Sequence, residues 1–143
     1  MKVLIADDSE TIRFRVKEML SEMTGVEIVG EAADTFSTRM LAHELKPDVM
    51  VVDLRMPGGG GIKALQQIRL DGSNPVTIVL TNYPSPEYRK TCMTLGADYF
   101  LDKSSEFEHL PQILQNVVVK GDVAESSRHV AMAQTVELSK QAG

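Results

Sequence analysis

Val49-Met50-Val51-Val52-Asp53-Leu54-Arg55-Met56-Pro57 is the stretch that decides the fold. Its first four side chains are apolar without alternation, the length and pattern of a strand covered on both faces, and the run stops at an acid. Outward from it, Val3-Leu4-Ile5-Ala6, Val26-Glu27-Ile28-Val29, Val76-Thr77-Ile78-Val79-Leu80 and Tyr99-Phe100-Leu101 repeat the theme at wide spacing. Four of these five runs carry no polar interruption beyond a Thr, as parallel strands under two layers of helix do.

The intervening segments have helical period. Ile12, Val16, Met19, Leu20 and Met23 form one apolar stripe, with Ser9 placed as N-cap and Thr24-Gly25 as the stop. Tyr88, Cys92 and Leu95 repeat it after Ser85-Pro86, and Phe107, Leu110, Leu114 and Val117 after Ser105, whose Glu108 completes a capping box. Segments 36–45 and 62–70 contain no breaker and read as helices. Five βα units in strict alternation predict a doubly wound α/β fold: a five-stranded parallel sheet in the order 2-1-3-4-5, flavodoxin-like, with right-handed crossovers.

The whole chain has 143 residues, 43% of them hydrophobic, a size that suits one domain and not two. Its 20 acids against 15 bases give a formal charge of −5, a poor footprint for nucleic acid or an anionic membrane. One cysteine makes no internal bridge, and the short apolar run after Met1 ends at two acids, so neither a signal peptide nor a span is expected and the cytoplasm is the expected location.

In a doubly wound sheet, ligands sit beyond the carboxyl ends of the strands. Standing there are Asp7 and Asp8 after the first run, Asp53 after the third, Thr81 after the fourth and Lys103 just past the fifth. Each has an ordinary reading alone: acids favourable to a helix N-terminus, a strand-ending turn residue, a backbone-satisfied hydroxyl, a solvated ammonium. Their placement at the same end of successive strands sets them apart. Three convergent carboxylates repel without a cation, and a hard, oxygen-loving ion, Mg²⁺ or Mn²⁺ in its place, suits them. A carboxylate beside such an ion can act as nucleophile toward phosphorus, with Lys103 and Thr81 as donors to the phosphoryl oxygens.

This set resembles the response-regulator receiver domains of two-component signalling, over residues 1–120. The residues that carry the resemblance are Asp7-Asp8, Asp53 in Val-Val-Asp-Leu-Arg-Met-Pro, Thr81 in Val-Leu-Thr-Asn, and Lys103 in Gly-Ala-Asp-Tyr-Phe-Leu-Asp-Lys. The resemblance implies that Asp53 is the phosphoacceptor and that Asp8, Asp53 and the backbone carbonyl of Arg55 hold Mg²⁺, with Asp7 helping through water. It implies that Lys103 pairs with the phosphoryl group, and that Thr81 and Phe100 are the switch pair. Pro57 and Gly61 match the loop after the phosphoacceptor. The phosphodonor is then a sensor histidine kinase or histidine phosphotransfer protein. The output is a changed surface of the fourth helix, fifth strand and fifth helix for a downstream protein or a second copy of the chain, which could also pair through its tail. The chain is expected to accept a phosphoryl group and lose it again, without acting as a turnover enzyme.

Three positions depart from the family pattern. Ser104 follows Lys103 where proline in a cis peptide is usual, so a trans bond is expected here. Asn82 replaces a smaller residue after Thr81, where it would crowd the phosphoryl group. Arg55 and Tyr83 occupy positions that tune the access of hydrolytic water. Other functions remain as alternatives: a small Mg²⁺-dependent phosphohydrolase, for which no strand is followed by a lid-sized insertion; a scaffold that signals without phosphorylation; or the receiver part of a longer transcription regulator. The glycines at 58–61 lack the Lys-Ser/Thr of a phosphate loop and read as a flexible connection, while His43, His109 and His129 show no metal spacing. Residues 121–143 form a tail, in which Asp122 and Glu125 suggest the cap of a short helix.

Overall fold

The computed structural model describes the backbone of residues 1–126 and the side chains of residues 1–118. The elements alternate as expected: β1 (Lys2–Ala6), α1 (Glu10–Ser21), β2 (Glu27–Ala32), α2 (Thr35–Leu45), β3 (Val49–Val52), α3 (Gly60–Leu70), β4 (Val76–Thr81), α4 (Pro86–Thr94), β5 (Tyr99–Asp102), a 3₁₀ turn (Phe107–His109) and α5 (Leu110–Ser126). All strand pairs are parallel, in the order β2-β1-β3-β4-β5. The chain divides into a compact unit spanning Met1–Glu108 and a second that begins at His109. Among the described residues, no helix is long and apolar enough to cross a membrane.

Both faces of the sheet are dry. Leu4, Ala6, Met50, Val52, Val79 and Phe100 share one core cluster with Ala42 of α2, Leu65 and Ile68 of α3 and Cys92 of α4. Val3, Ile5, Val51, Ile78 and Leu80, with the opposite strand parity, are just as buried, as are Val16 and Leu20 of α1. Each such side chain contributes roughly 1.5–3 kcal/mol of burial, so the unalternated runs in the sequence are the direct record of a two-sided core.

The caps explain where helices begin. Ser9, Asp34 and Ser85 accept from the amides of Ile12, Ser37 and Tyr88, as N-caps do. Several sequence expectations need correction. Met23 lies beyond the end of α1, and Tyr88, assigned to the apolar stripe of α4, is 39% exposed while Cys92 alone in that helix is buried. The Ser105–Glu108 capping box does not start α5. The chain after β5 winds first into a turn closed by the Glu106 amide on the Asp102 carbonyl and the Asp102 amide on the Glu106 carboxylate, then into the 3₁₀ turn. The glycine run is no loose connection either: Gly60 and Gly61 are buried and open α3. Helix α5 runs through Asp122 without a break, so no cap sits there, and residues 127–143, including His129, lie outside the described residues.

Burial pushes the Cys92 thiol up to about 11. Cys92 is therefore expected to react with a thiol reagent at about pH 8 at less than roughly a hundredth of the rate seen in denaturant, because the thiolate is the nucleophile. Comparable rates in the two conditions would show that α4 is not packed as described.

Candidate functional site

Strand register builds the site. Ala6 pairs with Val52, Val52 with Val79, and Thr81 with Asp102, so the residues that follow these strands emerge along one edge. The ladder then extends by one bond on each side: the Asp7 amide donates to Ala32, the Asp53 amide to Ala6 at 2.8 Å, and the Lys103 amide to Thr81 at 2.8 Å. Asp7, Asp53, Thr81 and Lys103 are thus held by backbone hydrogen bonds rather than by loop contacts. Asp8 is exposed beside them.

The Lys103 ammonium lies 2.7 Å from Asp7 Oδ2 and 3.2 Å from Asp53 Oδ2, with all three side chains 4–6% exposed. The other oxygen of Asp7 accepts from the Ser9 amide at 2.9 Å, and that of Asp53 faces the Arg55 amide at 3.4 Å. Arg13 of α1 donates to the Asp7 carbonyl, a support that its place in the helix did not advertise. Burial, and then the charge of Asp7, raise the Asp53 carboxyl above its ordinary value, against the pull of Lys103. One ammonium does not fully compensate two buried carboxylates. A further cation would relieve that deficit.

One carboxylate oxygen from each of Asp7, Asp8 and Asp53 lies within 4.8 Å of the other two. All-oxygen ligands, one of them open to solvent, fit a hard divalent ion that keeps part of its water. Arg55 and Asp8 also line one open cleft of about 400 Å³, together with Leu54, Met56, Pro57, Gly59 and Gly60. A larger cavity of about 550 Å³ lies between α2 and α3, lined by Phe36, Met40 and Lys63 among others, away from the three acids.

Thr81 is fully buried, and its hydroxyl oxygen accepts from the Tyr83 amide at 2.9 Å. Its proton has no acceptor among the described residues and is free to donate. Phe100, 6% exposed, is packed inward in the core, with the Arg89 guanidinium 5.9 Å from its ring centre. The Lys103–Ser104 bond is trans, as expected, and Asn82 is exposed. The guanidinium of Arg55 lies 3.7 Å from the centre of the Tyr83 ring, joining the loops after β3 and β4. His43 and His109 are exposed, and the group of carboxylates that could hold an ion consists of Asp7, Asp8 and Asp53 among the described residues.

A family model described as the response regulator receiver domain matches residues 3–115. Response regulator GacA of Pseudomonas aeruginosa is 31% identical over 117 residues, which are 82% of this chain and 55% of GacA. Among solved structures, a LuxR-family two-component response regulator from Aurantimonas sp. superposes with a TM-score of 0.76 at 27% identity, covering 82% of this chain and 84% of the other. The isolated REC domain of RcsB from Salmonella enterica, solved in the presence of phosphomimetic BeF3⁻, gives 0.74 at 29%, covering 80% and 86%. The chain spans little more than half the length of the curated regulators it matches.

Proposed function

The chain belongs to the response-regulator receiver family, and on that footing we propose that residues 1–120 form a phosphorylation-activated switch whose acceptor is Asp53. The observation that carries this reading is the buried Lys103 ammonium shared between Asp7 and Asp53, within a cluster of three acids. A phosphohistidine on a sensor kinase or histidine phosphotransfer protein is the proposed donor. A carboxylate oxygen of Asp53 forms the new O–P bond while the P–N bond breaks, and the electron pair leaves with the imidazole nitrogen. Mg²⁺ or Mn²⁺, held by Asp7, Asp8, Asp53 and the Arg55 carbonyl, would supply charge neutralisation on the transferring oxygens.

The chain's own groups do the rest. Lys103 already stands at hydrogen-bonding distance from Asp53 and turns toward the added charge. Thr81 donates its unspent proton to a phosphoryl oxygen, carrying the Tyr83 amide with it. Movement of that strand end frees space against Phe100, and the outward face of α4 and β5 changes for a downstream protein target. The phosphoryl group shifts the balance only by its different interaction with the two states. On this reading Asp53 accepts and releases a phosphoryl group, and no separate substrate is turned over. Incubation with Mg²⁺ and a small phosphodonor is expected to add one phosphoryl group at Asp53, read by intact mass and peptide mapping. An unchanged mass overturns the reading.

The Arg55–Tyr83 stack shields the loops that flank Asp53. An exposed contact of this kind contributes about 0.5–1 kcal/mol, so Tyr83→Ala is expected to shorten the phosphoryl half-life about two- to fivefold. Arg55→Ala should do the same, and the double variant should do no more than either. Additive effects, followed as loss of radiolabel, would show that the two side chains act separately.

A further inference from the structure

The loop that follows Asp53 is a poor platform by composition. Gly58, Gly59 and Gly60 have φ of +94°, +120° and +89°, and a glycine run has more conformations to lose than any other sequence. It is nevertheless closely packed: a Cβ at Gly60 would overlap the Leu54 carbonyl oxygen, and one at Gly61 the carbonyl oxygen of Asp53 itself. Something outside the loop has to hold it.

Thr35, the first residue of α2, is that group. Its buried hydroxyl accepts from the Gly60 amide at 2.9 Å and donates to the Gly60 carbonyl at 3.2 Å. Its own amide, one that a helix N-terminus leaves unpaired, donates to Pro57 at 2.9 Å. Among the described residues, apart from the Gly61 amide of α3 itself, which donates to the Leu54 carbonyl at 2.9 Å, every nitrogen or oxygen hydrogen bond reaching residues 54–60 from a helix or strand comes from Thr35. Thr38, one turn on, adds only a 4.0 Å contact with Met56 Sδ.

We propose that the Thr35 hydroxyl is a positioning group for cation binding: by clamping Gly60 to α2 it fixes the loop that presents the Arg55 carbonyl beside Asp7, Asp8 and Asp53. The role of Arg55 rests on the switch reading above, whereas the clamp itself does not. Groups that orient metal ligands from behind typically account for about 10–100-fold in affinity. A ligand on a backbone carbonyl has no rotamer of its own to correct an error, so its position is that of the loop.

The test compares Thr35→Val, which keeps the shape and removes the hydroxyl, with Thr35→Ser, which keeps the hydroxyl, in the full chain. Mn²⁺ binding, read from the free-ion paramagnetic resonance signal, is expected to weaken about tenfold or more in Thr35→Val and to stay within about threefold of wild type in Thr35→Ser. Phosphorylation by a small donor should show the same loss as a raised half-saturating metal concentration. Equal Mn²⁺ affinity in wild type and Thr35→Val, or equal weakening in both variants, overturns the proposal. A second measurement needs no variant. Linkage is reciprocal, so Mg²⁺ should slow hydrogen exchange at the Gly60 amide of the wild type, and unchanged exchange refutes the clamp. The two readings fail separately: absence of phosphoryl uptake by wild type defeats the switch, while the Mn²⁺ ratio between variants decides the clamp.

Discussion

Asp53→Asn is expected to take up no phosphoryl group from any donor, and in the absence of divalent ions to be more stable than the wild type. The first result follows from removing the nucleophilic oxygen. The second follows from electrostatics. Burial and the charge of Asp7 raise the Asp53 carboxyl in the folded protein, so the folded state holds its proton to higher pH than the unfolded chain does. That contribution to stability is fully present below the ordinary carboxylate pKa and is lost as pH rises through the raised value. An amide has no such loss. Thermal midpoints measured in chelator should therefore diverge, with the variant gaining on the wild type as pH rises from about pH 4 through the raised value. Excess Mg²⁺ should narrow the gap, because only the wild type gains a full set of ligands. A variant less stable than wild type at neutral pH without metal would mean that Asp53 is satisfied by Lys103, contrary to the charge balance described.

Lys103→Met should have the largest effect on stability. The ammonium touches two carboxylates that are almost wholly buried, and an apolar side chain of similar length leaves both uncompensated. Removing one partner from a buried pair typically costs about 3–5 kcal/mol, and here the abandoned charges also repel each other. Urea unfolding in chelator at neutral pH is the measurement. Because Lys103 is what opposes the rise of the Asp53 carboxyl, its removal raises that carboxyl further, and protonation then relieves the repulsion. The deficit should shrink toward acid pH and shrink again on adding Mg²⁺. A deficit equal at all pH values would assign the loss to packing of the lysine stem instead.

These two results bear on why the site was so readable. Asp7, Asp53 and Thr81 each stand one step from a continuous apolar run, and Lys103 two, and parallel register carries such residues to a common edge whatever the loops do. The sheet was readable for the same reason: Val49 to Val52 bury both faces, and a two-sided core suppresses alternation. Features that join segments distant in the chain were not readable. The Thr35–Gly60 clamp spans 25 positions, and nothing near Thr35 marks it. The one available sign was the glycine run, since glycine is required where backbone packs on backbone. Arg55 and Tyr83 were singled out by family position, but that they stack depends on the meeting of two loops. At Ser105 a local signal lost to its surroundings, because the bonds between Asp102 and Glu106 form a turn before any helix can begin.

Cys92 gives this chain a built-in clock. The sequence holds one thiol and no tryptophan, and that thiol sits on the inward face of α4, the helix whose outer surface is proposed to change on phosphorylation. Its labelling can proceed only through moments when α4 lifts from the sheet, so the labelling rate counts those openings without an added probe. Comparing that rate before and after phosphoryl transfer would time the loosening or tightening of one helix in an otherwise unmodified protein.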